Sequence, residues 1–200
     1  MKQVLRQSII AARQKMAAVE REEYSREITL RLLNMPAYKD AEIVLGYMSF
    51  GAEFSSVVWV QQALRDGKQV LLPKVDSITR QLEIYQIHDL QQDVAPGTWD
   101  IPEPLPARCE RVETLGRLDF ILLPGVAFSS DGSRLGYGGG FYDKLLARIN
   151  RVEGRPALVA AAFSKQLVKD IPQEATDRKV EWLVTESEVI DCSAEGAWPV

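Results

Sequence analysis

Apolar residues recur along this chain in two rhythms. Over residues 2–19 they follow a helical spacing, with Leu5, Ile9, Ala12 and Met16 on one side. A second helical stretch covers about 21–34 and ends before Pro36, since the residue ahead of a proline disfavours helix. AEIVLGYM at 41–48 is then an apolar run of strand length. Residues 55–65 read as a helix closed by Asp66-Gly67, and KQVLL at 68–72 reads as a strand stopped by Pro73. LEIYQI, from Leu82, alternates like a short strand. The stretch from Ala95 to Pro106 is rich in turn residues and reads as a loop over an edge or the mouth of a sheet. LDFILL at 118–123 is a strongly apolar strand, 141–150 a helix, and 156–162 and 180–185 two more strands.

Strands and helices alternating at short spacing predict an α/β fold: a single three-layer α/β/α domain with a mainly parallel sheet. No linker, internal repeat or low-complexity tract divides residues 1–200, and the residues from about 190 read as a loose tail.

Composition narrows the function. The chain has 200 residues, 46% of them apolar, enough for one sizeable core. Its formal net charge of −4 argues against a general nucleic-acid binder. Two distant cysteines, Cys109 and Cys192, and one histidine, His88, leave no pattern for a zinc cluster or a disulfide framework. No apolar run reaches membrane-spanning length and the start does not resemble a signal peptide, so the expectation is a cytoplasmic protein without membrane or nucleic-acid partners, and a monomer by default.

The chemistry concentrates in PGVAFSSDGSRLGYGGGFYD, residues 124–143, between the strand LDFILL and the helix that follows. Gly136, Gly138, Gly139 and Gly140 sit at the junction. Glycines there allow positive φ and close ligand approach, and successive N–H groups ahead of a helix N-terminus suit a phosphate. The string is neither a Walker A loop nor a Rossmann fingerprint, and glycines alone fit an ordinary tight turn equally well. Arg134 adds a fixed positive charge at the rim. Asp143 adds a carboxylate in the first helical turn, where it serves either as a helix-end charge or, beside phosphates, as a Mg²⁺ ligand.

The first helix carries a second signal. Lys2, Arg6 and Arg13 lie within about 40° of one another on a helical wheel, amid apolar neighbours and not opposite them. Charges so placed need partners, either carboxylates of the chain or phosphates of a ligand. His88 reads as a surface or core-edge residue, and no Ser-His-Asp arrangement is apparent.

RLGYGGGFYD (134–143), preceded by LPGVAFSSDG, resembles the signature of the 5-formyltetrahydrofolate cyclo-ligase (5,10-methenyltetrahydrofolate synthetase) family, and the resemblance extends from Lys2 to about Glu186. The resemblance implies an enzyme that uses ATP as co-substrate and Mg²⁺ to convert 5-formyltetrahydrofolate to 5,10-methenyltetrahydrofolate, releasing ADP and phosphate. It implies ATP contacts at Lys2, Arg6, Arg134, Leu135, Gly136, Tyr137, Gly138, Gly139, Gly140, Phe141 and Tyr142, with Arg134 also catalytic. It implies folate contacts at Met48 and Glu53, within YMSFGAE (47–53), and along 137–141. It implies metal ligation by Asp143 and Asp177. Some members carry a basic residue in the glycine turn where this chain has Tyr137 and Gly139, so one phosphate contact is missing here. Tyr47, Phe50, Trp99 and Tyr142 are candidates for stacking on the pterin or adenine, with core packing as the alternative for each. Rival readings are a phosphosugar- or acyl-CoA-acting enzyme on a related scaffold, and a non-catalytic nucleotide- or folate-binding regulator.

Overall fold

A computed structural model of the chain describes residues 1–149, 156–174 and 177–193. Helices α1 (Lys2–Gln14), α2 (Ala18–Asn34) and α3 (Pro36–Asp40) precede strand β1 (Ile43–Leu45), and α4 (Val57–Arg65) crosses to β2 (Gln69–Asp76). Then come β3 (Gln81–Ile87), β4 (Val94–Pro96), β5 (Pro102–Pro104), β6 (Glu110–Arg111), β7 (Phe120–Leu123), β8 (Ala127–Phe128) and β9 (Arg134–Leu135). Helix α5 (Phe141–Arg148), β10 (Ala157–Ala161), β11 (Trp182–Val184) and β12 (Val189–Asp191) complete the order.

Eight strands form one sheet in the order β12-β11-β10-β7-β1-β2-β3-β6. The strands from β11 to β2 run parallel, and β12, β3 and β6 add antiparallel edges. Because side chains alternate along a strand, each strand feeds two cores. Val44, Val70, Phe120, Leu122 and Val159 pack on one face against Ile28, Leu32, Tyr38, Trp59 and Val60 of α2, α3 and α4. Leu45, Leu71, Ile121, Leu123 and Ala160 pack on the other face against Leu145 and Leu146 of α5. This is the expected three-layer α/β/α arrangement.

Topology decides where a ligand can sit. From β1 the chain moves outward to β2, while β7 adds on the opposite side of β1 and leads away to β10 and β11. The order reverses between β1 and β7, and the crevice beyond the carboxyl ends of such neighbours is where open α/β sheets bind ligands. The segment 46–56 leaves β1 at that crevice, and the glycine-rich segment leaves β7 beside it.

Several expectations shift. Helix α1 stops at Gln14, not near Val19, because Met16 turns in to join the core at 4% exposure. The strand expected over 41–48 is ordered as strand only over Ile43–Leu45. Strand β2 runs through Pro73, which pairs with Ile84 of β3. Its parallel partner β1 has already ended, with Leu45 opposite Leu71, so no ladder bond on that side requires the missing N–H. The expected loop before Pro106 contains a small ribbon, β4 against β5, tied back to β2 by an ion pair between Lys74 and Glu103 at 2.9 Å. At the C-terminus, Val189–Asp191 is an edge strand where a loose tail was expected, and 194–200 lie outside the described residues.

Candidate functional site

Strand β7 ends at Leu123, and the chain makes a short hairpin, β8 against β9, before the glycines. Arg134 opens β9 with its side chain 4% exposed. Its Nη1 donates to the Pro124 carbonyl at 3.2 Å and its Nη2 to Asp143 Oδ1 at 2.8 Å, so the guanidinium spans the loop from strand end to helix start. Its buried Nε has no partner among the described residues. Gly138 at φ +102° and Gly140 at φ +66° take the left-handed conformations that only glycine adopts without strain, and Gly140 caps α5. Among the described residues, no backbone hydrogen bond is donated by an N–H of 136–140. A run of donors, a buried arginine with a donor to spare and a helix N-terminus together make a cradle for an anion.

Helix α1 crosses this cradle. Leu5 and Ile9 clasp a small apolar cluster of Ala127, Leu135 and Ile171, which places the basic stripe over the turn. Lys2 Nζ donates to Asp177 Oδ2 at 2.8 Å and to Glu174 Oε1 at 2.9 Å. The hydrogen bond to Asp177 leads the interactions that raise the Lys2 ammonium above its ordinary value. Burial opposes ionisation of Asp177, but the hydrogen bonds from Lys2 and the Glu174 N–H, with the charges of Lys2 and Arg134, together hold that carboxyl below its usual range. Arg6 Nε donates to the Gly136 carbonyl at 2.7 Å, and a Cβ on Gly138 would lie 3.6 Å from Arg6 Cζ. The cations of the stripe therefore take both kinds of intramolecular partner, carboxylates for Lys2 and polar oxygens for Arg6 and Arg13.

The loop after β1 forms the opposite wall. A turn from Phe50 to Glu53, with Gly51 at φ +60°, folds the Glu53 side chain back so that Oε2 accepts the Phe50 N–H at 3.0 Å. Ser49 and Ser56 brace the loop: the Ser49 N–H donates to Ser56 Oγ at 3.0 Å, and Ser56 Oγ donates to the Tyr47 carbonyl at 2.5 Å. Glu53 is 8% exposed, and burial pushes its carboxyl up against the opposing bonds from Tyr137 and Phe50. Tyr137 Oη donates to Glu53 Oε1, which links the glycine turn to this loop.

Most of the residues singled out from sequence converge here: Lys2, Arg6, Glu53, Arg134, residues 136–143 and Asp177. Leu135 contributes its side chain to the apolar cluster under α1, leaving only its main chain toward the turn. Met48 and Tyr47 are buried in the core beside Phe54. Of the aromatic candidates, Phe50 and Trp99 are open to solvent, and Trp99 meets the Phe141 ring edge-on with centroids 6.3 Å apart. Tyr142 is half-buried, and burial followed by the charge of Glu53 pushes its hydroxyl well up. His88 is exposed and donates its backbone N–H to Asp93.

Among the described residues, no group of three or more His, Cys, Asp or Glu side chains stands together as a metal cage. Asp143 and Asp177 are two carboxylates, each matched with a protein cation, Arg134 and Lys2. Two carboxylates beside an anion cradle are a donor set that suits Mg²⁺, which completes its shell with phosphate oxygens and water.

The 5-formyltetrahydrofolate cyclo-ligase family matches residues 1–186. A 5-formyltetrahydrofolate cyclo-ligase of Escherichia coli K12 is 31% identical over 178 residues, covering 88% of this chain and 96% of the relative. The solution structure of the Aquifex aeolicus 5,10-methenyltetrahydrofolate synthetase superposes with a TM-score of 0.83 at 30% identity, over 100% of this chain and 96% of that one. A Mycoplasma pneumoniae 5,10-methenyltetrahydrofolate synthetase, at 19% identity and a TM-score of 0.73 over 92% of this chain and 98% of its own, shares the fold. The family match spans the β1 loop, the glycine turn and the segment bearing Asp177, so both walls of the crevice fall within it, and the chain belongs to the 5-formyltetrahydrofolate cyclo-ligase family.

Proposed function

We propose that this enzyme converts 5-formyltetrahydrofolate to 5,10-methenyltetrahydrofolate at the β1–β7 crevice, consuming ATP and releasing ADP and phosphate. The observation that carries the reading is the junction of an anion cradle with a buried carboxylate across one hydrogen bond, Tyr137 to Glu53. The cradle fits phosphates, and the carboxylate fits the amino-pyrimidine edge of a pterin, which offers adjacent N–H donors.

In this reading the formyl oxygen on N5 attacks the γ-phosphate and ADP leaves; N10 then closes on the activated carbon, its proton passing to the departing phosphate or to water as the carbon–oxygen bond breaks and phosphate is released. The formyl oxygen is itself the nucleophile and carries no proton, so the phosphoryl transfer needs no general base. The protein's part is to position two substrates and neutralise charge. Arg134, the N–H groups of 136–140 and the start of α5 hold the phosphates, while Lys2 and Arg6 close from α1. Glu53 orients the pterin, and Phe50, Trp99 and Phe141 supply ring faces for it or the adenine. Asp143 and Asp177 would hold Mg²⁺, which when bound offsets phosphate charge. We take the enzyme to act in the cytoplasm as a monomer: no described helix is long and apolar enough to cross a membrane, and Cys109 and Cys192 are free.

The direct test mixes purified protein with 5-formyltetrahydrofolate, ATP and Mg²⁺ and follows the methenyl chromophore alongside ADP. Equimolar growth of both is expected. Folded protein that binds either substrate but yields neither product would be a regulator and not a ligase.

A further inference from the structure

Arg13 is the third cation of the α1 stripe, and it differs from the other two. It is 4% exposed, and its Nη2 donates to Tyr137 Oη at 2.7 Å. Tyr137 Oη donates in turn to Glu53 Oε1, while Glu53 Oε2 is fixed by the Phe50 N–H. Guanidinium, phenol and carboxylate thus form a one-way chain of donors from α1, through the glycine turn, to the loop after β1. Burial, and then the charge of Glu53, push the Tyr137 phenol well above its ordinary value, so it keeps the proton it donates. The Phe50 ring, 5.1 Å from that of Tyr137, flanks the chain.

Two features indicate that this chain serves a ligand and not the fold alone. Arg13 Nε and Nη1 are buried with no partner among the described residues. A buried donor left unpaired destabilises the fold, and an arginine kept only for stability ordinarily has its donors satisfied. The second feature is Glu53 itself. Each of its oxygens accepts one internal bond, yet an ionised carboxylate has about four acceptor positions. Held in this way, it retains one acceptor position per oxygen for a pair of adjacent donors.

We propose that Arg13 and Tyr137 are positioning residues for the folate, acting in series to hold Glu53 ionised and oriented toward the amino-pyrimidine edge. The proposal rests on the reading of Glu53 as the pterin acceptor. The groups that face Glu53 are Arg13 of α1, Tyr47 of the β1 loop, Tyr137 of the turn and Tyr142 of α5, and of these only Arg13 is positive. Burial disfavours the Glu53 carboxylate, and the Tyr137 bond, the Phe50 N–H and the Arg13 charge oppose that effect. Deleting the phenol hydroxyl removes the leading opposing interaction, so the carboxyl titrates at higher pH.

Steady-state kinetics on Tyr137→Phe, Arg13→Met and Arg13→Lys, each with and without Glu53→Gln, test the proposal. Tyr137→Phe is close to isosteric and keeps the main-chain N–H of the cradle, so it serves even if an Arg13 variant fails to fold. Loss of one charge-assisted link is expected to raise KM for 5-formyltetrahydrofolate about tenfold and leave KM for ATP within about twofold. The acid limb of kcat/KM for the folate should move to higher pH, and Arg13→Lys should recover part of what Arg13→Met loses. In the Glu53→Gln background the same changes should have less than about a twofold effect on folate KM. Wild-type folate KM in Tyr137→Phe, or an equal rise with and without Glu53, overturns the proposal and leaves the reaction assignment standing. Wild-type folate KM in Glu53→Gln removes Glu53 from the substrate site and the positioning chain with it. Absence of turnover in the wild-type enzyme overturns the functional reading and this proposal together.

Discussion

Arg134 ties the two ends of the glycine-rich segment together. It joins the strand end at Pro124 to the helix start at Asp143 and retains a buried Nε without a partner among the described residues. Asp143 is already 24% exposed and bonded by the Arg178 N–H at 3.3 Å, so on replacement of Arg134 by alanine water and main chain can stabilise that carboxylate and the fold should survive. Loss of a preorganised donor aimed at developing phosphate charge ordinarily lowers turnover about 100- to 1,000-fold, and Arg134→Ala is expected to fall in that range with an unchanged circular-dichroism spectrum. Arg134→Lys should recover little, since a single ammonium cannot reproduce the fork that now spans Pro124 and Asp143. A well-folded Arg134→Ala enzyme with wild-type rates would remove the arginine from the mechanism. Asp143→Asn separates the metal role from the helix-end role: a ligand change should raise the Mg²⁺ concentration needed for half-maximal activity, whereas a mere helix-end charge leaves it unchanged. Both residues were legible in the sequence because they sit 9 positions apart in one loop. The links from Tyr137 to Glu53 and from Tyr137 to Arg13 span 84 and 124 positions. Only the odd placement of Arg13 on an apolar helix face hinted at them.

At the level of elements, apolar runs identified the inner strands, because strands covered on both faces by helices carry little else. Edges and ribbons were harder. Strand β2 continues through Pro73 since its pairing there is one-sided, and β4 with β5 is held by three pairs, too few to leave a periodic trace. The hairpin of β8 and β9 belongs to this class and carries Arg134, so its rigidity bears on function. Its turn is closed by Gly132 N–H to Ser129 O at 2.9 Å and braced by Asp131, which accepts from Ser129 Oγ and from the Ser133 N–H. Gly132, at φ +83°, also packs on the extended segment just ahead of β11: its carbonyl accepts from the Val180 N–H at 2.9 Å, and an added Cβ would lie 2.2 Å from the Val180 carbonyl oxygen. Gly67 has a similar φ of +75° with nothing near its virtual Cβ, which makes it an internal control. Gly67→Ala is expected to cost about 1 kcal/mol from backbone strain alone, and Gly132→Ala about 3 kcal/mol or more because a packed backbone must also move. At about 2–4 °C per kcal/mol for a chain of this size, thermal melts should show a drop of about 6–12 °C for Gly132→Ala. Equal losses at the two sites would mean that the contact with Val180 adds nothing to the strain.

At the scale of the whole molecule, the sheet and its two helical layers form an apolar body, while α1 is fastened to it differently. Leu5 and Ile9 pack on the small cluster of Ala127, Leu135 and Ile171, and Lys2, Arg6 and Arg13 add polar ties to the turn and to Asp177. The Lys2 pair with Asp177 has both side chains 20% exposed, and partly exposed pairs of this kind add at most about 1 kcal/mol to stability. Strength in this arrangement should come from the ligand. A triphosphate in the cradle would meet Lys2 and Arg6 from above and Arg134 from below, joining α1 to the sheet through charges that are weakly used without it. Nucleotide binding stabilises the folded state by about 2.7 kcal/mol at 100 times its Kd, which for this chain length is a rise in Tm of about 5–10 °C. The double variant Lys2→Met with Arg6→Met should therefore melt within about 3 °C of wild type when no nucleotide is present, since the pair with Asp177 contributes little. With saturating MgATP for the wild type, the same variant should lose more than half of the nucleotide-dependent rise. Thermal shift titrations with MgATP, and with MgADP to ask how much of the effect needs the γ-phosphate, read both numbers from one experiment. A large drop in the ligand-free Tm would show that the stripe is structural, and an undiminished MgATP shift would place the triphosphate away from α1.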